Sequence, residues 1–111
     1  MSVKFGIIGA MTEEINNLKS KMEVLETVTI AGNEFFRGKL YGCEIVLVKC
    51  GIGKVNAALC TQALIDKFAP EFVINTGVAG SMDASAGIGD IVVSTDLVQH
   101  DFDASAFGTV R

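Results

Sequence analysis

Three glycine-marked loops are where this sequence could bring backbone and side chains to a ligand. They are Gly9-Ala10-Met11-Thr12-Glu13-Glu14, Gly51-Ile52-Gly53-Lys54, and Asn75-Thr76-Gly77-Val78-Ala79-Gly80. Each follows an apolar run that reads as a strand, and open α/β sheets bind ligands beyond their strand ends. Small residues there let main-chain groups approach a ligand closely. The first loop also carries two carboxylates. Glu13 or Glu14 could serve acid/base chemistry or steady a developing cation. Either could instead complement the dipole of a first helical turn, worth about 0.3–1 kcal/mol. Position alone favours the dipole.

Several other chemistries are excluded. Gly51-Ile52-Gly53-Lys54 lacks the four-residue spacer and the following Ser/Thr of a P-loop, and no G-x-G-x-x-G follows the first strand. No dinucleotide or other cofactor is indicated. Cys43, Cys50 and Cys60 are odd in number and lack C-x-x-C spacing, and His100 is the only histidine, so no metal site is expected. The cysteines read as buried, reduced thiols of a cytoplasmic protein. A net charge of −4 argues against a nucleic-acid partner, which demands a basic footprint. No segment approaches the roughly 20 apolar residues of a membrane helix. The apolar start meets Glu13 and Glu14 before a signal peptide is complete.

The elements that must position the loops follow from periodicity. Val3–Gly9 is nearly continuously apolar, as in a strand covered on both faces. Thr12 is the expected cap of a helix along which Ile15, Leu18 and Met22 recur. Thr27–Ile30, Glu34–Leu40 and Cys43–Lys49, separated by Ala31-Gly32-Asn33 and Tyr41-Gly42, read as an antiparallel meander. A second helix is expected over Val55–Phe68, with Val55, Ala58, Leu59, Gln62, Ile65 and Phe68 on one stripe and Pro70 as its stop. Phe72–Thr76, read as another buried strand, and Ile91–Gln99 complete the strands. Two helices feeding parallel neighbours give a mixed β-sheet flanked by helices, an α/β fold. Half of the 111 residues are hydrophobic. With so few helices, a sheet of about six strands stays partly uncovered, each exposed large apolar side chain forgoing about 1.5–3 kcal/mol. Partner structure is therefore expected.

Taken together, the segments resemble the 5′-methylthioadenosine/S-adenosylhomocysteine nucleosidases of the nucleoside phosphorylase superfamily. The resemblance rests on Gly6-Ile7-Ile8-Gly9-Ala10-Met11-Thr12-Glu13-Glu14, Lys49-Cys50-Gly51-Ile52-Gly53-Lys54-Val55-Asn56-Ala57-Ala58 and Ile74-Asn75-Thr76-Gly77-Val78-Ala79-Gly80. It continues through Gly89-Asp90-Ile91-Val92-Val93-Ser94, His100-Asp101 and Asp103-Ala104-Ser105-Ala106-Phe107-Gly108, all in the family's order. Residues 1–111 then form one partial domain, the N-terminal half of a nucleosidase domain. Proteolysis, a separate completing chain or a shortened gene would each explain the end at Arg111.

The resemblance implies hydrolysis of the bond between adenine N9 and ribose C1′, through an oxocarbenium-like state. Glu14 matches the glutamate that activates the attacking water, whereas Glu13 keeps the dipole role. Ile52 matches a residue near the water and ribose, with ordinary packing as its alternative. Val78 stands where family members carry Ser or Val, so its role is steric or through its main chain. Ala79 and Gly80 offer close backbone approach, and Met11 faces the sugar or simply starts the helix. Phe107 matches an aromatic that a neighbouring subunit lends to the 5′ pocket, with core or interface packing as its alternative, and homodimers are implied. His100 and Asp101 fall near the dimer interface or on a solvated loop. The second ribose-binding glutamate and the aspartate that protonates adenine lie beyond Arg111 in the family, so this chain alone is expected to be inactive.

Two alternatives remain. A purine nucleoside phosphorylase needs a cationic phosphate site, yet Arg37 and Arg111 are the only arginines and neither lies in a glycine loop. The other is an inactive fragment that binds a nucleoside or only oligomerises.

Overall fold

The computed structural model describes residues 3–78, 81–95 and 97, and the chain divides into two compact units, Met1–Ala79 and Gly80–Arg111. The first unit runs β1 (Phe5–Gly9), α1 (Thr12–Lys21), β2 (Glu23–Ile30), β3 (Asn33–Leu40), β4 (Cys43–Lys49), α2 (Lys54–Phe68) and β5 (Phe72–Asn75). Its strands form one five-stranded sheet in the order β2-β3-β4-β1-β5. β1 is parallel to both β4 and β5, while β2, β3 and β4 make the antiparallel meander. A mixed sheet flanked by helices is thus what the sequence forms.

The layering follows from the two-residue period of β4. Ile45 and Leu47 point to one face and pack with Ile7, Ile15 and Met22 beneath α1. Val46 and Val48 point to the other and pack with Ile8, Phe35, Cys60, Leu64 and Phe68 beneath α2. Full burial of each such aliphatic side chain stabilises the fold by about 1.5–3 kcal/mol. Across β3 and β4, Arg37 Nε donates to Glu44 Oε1 at 2.7 Å, a half-buried pair on the sheet. Among the described residues no helix is long and apolar enough to cross a membrane.

Five expectations are corrected. Thr12 is the first helical residue and Met11 the N-cap, because Glu14 reaches back to satisfy the terminal N–H groups. α1 does not feed a parallel strand: it leads into β2, and only α2 leads into a strand parallel to β1. On α2 the buried face is Cys60, Leu64 and Phe68, whereas Val55, Leu59 and Ile65 are exposed at 73, 61 and 44%. The helix carries two apolar stripes, and the one that fits against the sheet includes Thr61 and small alanines, allowing close approach. Residues 91–95 and 97 form no strand, since β-branched residues make a strand only where a neighbouring strand accepts their ladder. β5, expected to be buried, instead lies at the sheet edge with all four residues exposed, since no described element of the first unit covers it.

The second unit, in its described residues, consists of turns. Asp83 Oδ1 accepts the Ser85 N–H and hydroxyl at 2.9 and 2.8 Å, and Asp90 Oδ2 accepts the Gly87 N–H at 2.7 Å.

Two backbone positions carry opposite predictions. The β2–β3 ladder shifts register between Val24 and Glu26, which draws the β2 backbone over Gly38, where a β-carbon would collide with the Glu23 carbonyl oxygen. At the β3–β4 hairpin tip Tyr41 adopts φ 49°, a left-handed conformation that asparagine tolerates better. Gly38→Ala should destabilise the fold by about 1–3 kcal/mol, as overpacking does. Tyr41→Asn should stabilise it by about 0.5–1 kcal/mol. Urea unfolding midpoints check both signs.

Candidate active site

The parallel register delivers three loops to one edge of the sheet. β1 ends at Gly9, opposite Lys49 of β4, and Ile8 faces Asn75 of β5. Two further backbone bonds continue the ladder past the strand ends: Cys50 N–H donates to Gly9 O and Thr76 N–H to Ile8 O, both at 2.9 Å.

Glu14 occupies this junction. Its Oε2 accepts the Ala10 N–H at 2.6 Å and the Met11 N–H at 3.2 Å, so two otherwise orphaned donors of the helix entrance hold one carboxylate oxygen in place. No donor among the described residues reaches Oε1. That oxygen faces the third loop, where a β-carbon built on Gly77 would stand 3.3 Å from it. The side chain is half-buried and turned into the loop cluster, not towards bulk solvent. Gly9 makes this approach possible: a β-carbon there would collide with Ile15 Cγ2 and stand 3.2 Å from Glu14 Cβ. The Cys50 thiol lies within the field of the carboxylate. Burial chiefly, and Glu14 in part, push its pKa above the usual thiol value.

A hollow of about 440 Å³ adjoins the cluster, and Met11 and Ile52 line it together with Thr12, Glu13, Lys49 and Asn56 among others. Ile52 is 73% exposed and its carbonyl accepts Asn56 Nδ2–H at 2.8 Å, which ties the second loop to the first turn of α2. Val78 follows Gly77 and is exposed. The structure therefore brings Glu14 to Gly77, and Met11 to Ile52. Ala79, Gly80, His100, Asp101 and Phe107 lie outside the described residues. Sequence reasoning overlooked Asn56 and Cys50; an amide in the first turn after a glycine loop is the available signal for Asn56, and no local signal places Cys50 beside Glu14. Arg37 is engaged with Glu44 on the sheet, and among the described residues no arginine lies at these loops.

Residues 4–110 match the model of the phosphorylase superfamily. The chain belongs to that superfamily. Within it, the chain is 56% identical over 106 residues to the 5′-methylthioadenosine/S-adenosylhomocysteine nucleosidase of Geobacillus thermodenitrificans, covering 96% of this chain and 45% of that one. The crystal structure of such a nucleosidase from Colwellia psychrerythraea in complex with adenine is 50% identical with a TM-score of 0.91, covering 98% of this chain and 45% of that one. A Neisseria meningitidis nucleosidase in complex with methylthio-immucillin-A is 42% identical with a TM-score of 0.89, covering 96% and 46%. The chain thus spans about 45% of the length of these members of the superfamily.

The buried thiols give a pH prediction. Burial chiefly, with Cys50 adding to it, pushes the Cys60 thiol from its ordinary 9.0 up to about 11. The proton is therefore held more tightly in the folded chain than in the unfolded one. The associated stability is fully present below about pH 9 and lost as pH rises through about 11. Urea midpoints should fall across that window, and Cys60→Val should flatten the fall.

Proposed function

We propose that the protein to which this chain belongs hydrolyses the N-glycosidic bond of 5′-methylthioadenosine and S-adenosylhomocysteine, releasing adenine. The observation that carries this reading is the divided Glu14 carboxylate. Oε2 is fixed by two backbone donors, and Oε1 is left open towards Gly77. Oε1 accepts a proton from a water placed below C1′, and the carboxylate charge steadies the cation that develops on the sugar. Holding the group by main-chain bonds fixes its orientation before substrate arrives, so no reorganisation is needed during reaction. Met11 and Ile52 flank the sugar and its 5′ substituent, while Val78, Ala79 and Gly80 approach sugar and base through main chain and shape. The absence of an arginine at the described loops supports water over phosphate as nucleophile.

Adenine leaves only when protonated, and the proton comes from a group outside this chain. The intact protein places this reaction in methionine salvage in the cytoplasm and works as a homodimer, with the partner's Phe107 closing the 5′ pocket. The exposed Val55, Leu59 and Ile65 stripe and the uncovered β5 support a surface that more protein covers, whether a second copy or the remaining part of the domain.

Adenine release from methylthioadenosine tests the assignment. The 111-residue chain alone should be inactive, and joining it to the C-terminal portion of the Geobacillus relative should produce turnover. In that joined protein Glu14→Gln should lower kcat by about a hundredfold or more. A near-normal rate would return Glu14 to a purely helix-capping role.

A further inference from the structure

The hollow beside Met11 is lined by charges to which the hydrolysis proposed above gives no role. Glu13 and Lys49 both line it, yet they form no ion pair with each other. The Lys49 ammonium has a single partner among the described residues, the Thr12 hydroxyl at 3.3 Å. Glu13 has none. Lys49 moreover stands over the N-terminal turn of α1, where the helix dipole disfavours a cation. Thr12 and Lys49 also line an adjoining hollow of about 310 Å³ between α1 and the β2–β3 hairpin, so the space continues past them. Opposite charges facing one cavity, neither with a counter-ion among the described residues, suit a zwitterion.

The two nucleosides named for the relatives differ in one respect that matches. Methylthioadenosine ends in a neutral methyl group. S-adenosylhomocysteine continues from the same sulfur into an amino acid with an α-carboxylate and an α-ammonium. We infer that Lys49 and Thr12 bind the α-carboxylate of this tail and Glu13 its α-ammonium, making these three residues the determinants of preference between the two substrates. The inference rests on the nucleosidase reading above. Met11 and Ile52, placed beside the sugar and its 5′ substituent in the reading above, line the same hollow as Thr12, Glu13 and Lys49. The contacts are solvent-exposed, so their contribution is modest and sensitive to salt.

The experiment uses the whole chain joined to the C-terminal portion of the Geobacillus relative and measures kcat/KM for both nucleosides and for an S-butyl analogue with a neutral tail. Lys49→Met should lower the ratio for S-adenosylhomocysteine over methylthioadenosine about fivefold, through KM, and Lys49→Arg should restore it. Glu13→Gln should move the ratio the same way. The S-butyl ratio should stay constant, and 0.5 M salt should shrink the Lys49 effect. Turnover of methylthioadenosine with an unaltered S-adenosylhomocysteine ratio in both variants overturns the tail subsite alone. No turnover of either nucleoside by the unsubstituted joined protein overturns the hydrolase reading, and the subsite with it.

Discussion

Everything at the candidate site depends on β1 being hydrogen-bonded in parallel on both sides. A parallel arrangement ends its strands at one edge, so segments far apart in sequence arrive together without further guidance. The bonds from Cys50 N–H to Gly9 O and from Thr76 N–H to Ile8 O extend that arrangement into the loops themselves. The antiparallel meander contributes differently. It supplies Phe35, Val46 and Val48 to one core and Ile45 and Leu47 to the other, and so anchors β4 from both faces. The central strands are held by packing, and the loops inherit their position from them.

Glu14 shows how a structural and a chemical task can share one side chain. A glutamate three residues past an N-cap ordinarily satisfies helix donors and does nothing else. Here one oxygen meets that demand and the other is surplus to it. The dipole reading and the catalytic reading of the sequence are therefore compatible. The first explains why the carboxylate stays put, and the second uses the oxygen that staying put leaves open.

The strands and helices of the first unit were largely legible because their apolar residues repeat at a period of two or 3.6. Cys43–Lys49 needed no revision, and α2 shifted by one residue at its start. Which side of α2 meets the sheet was not legible. Val55, Leu59 and Ile65 match a helical stripe as well as Cys60, Leu64 and Phe68 do, and periodicity cannot rank two apolar faces. The β-branched residues 91–95 misled for a related reason, since strand propensity describes a fit to neighbours that the described residues do not supply. For the site, the glycine loops and Glu14 were visible as types in order. The nearness of Glu14 to Gly77 and Cys50 was not, because folding alone brings together residues so distant along the chain.

β5 joins the sheet along one edge only and contributes no residue to either buried cluster, its side-chain anchor being the stack of Phe72 on Phe5. Segments with few buried contacts open locally at a small fraction of the global unfolding free energy. The strand that leads to Gly77 should therefore exchange its amides with solvent hydrogen more readily than the central strands β1 and β4. Fraying of that single ladder would change the distance between the Glu14 Oε1 oxygen and the third loop. Anything that seats a further strand along the outer side of β5 would quiet that motion, and sheet completion and site geometry become one equilibrium.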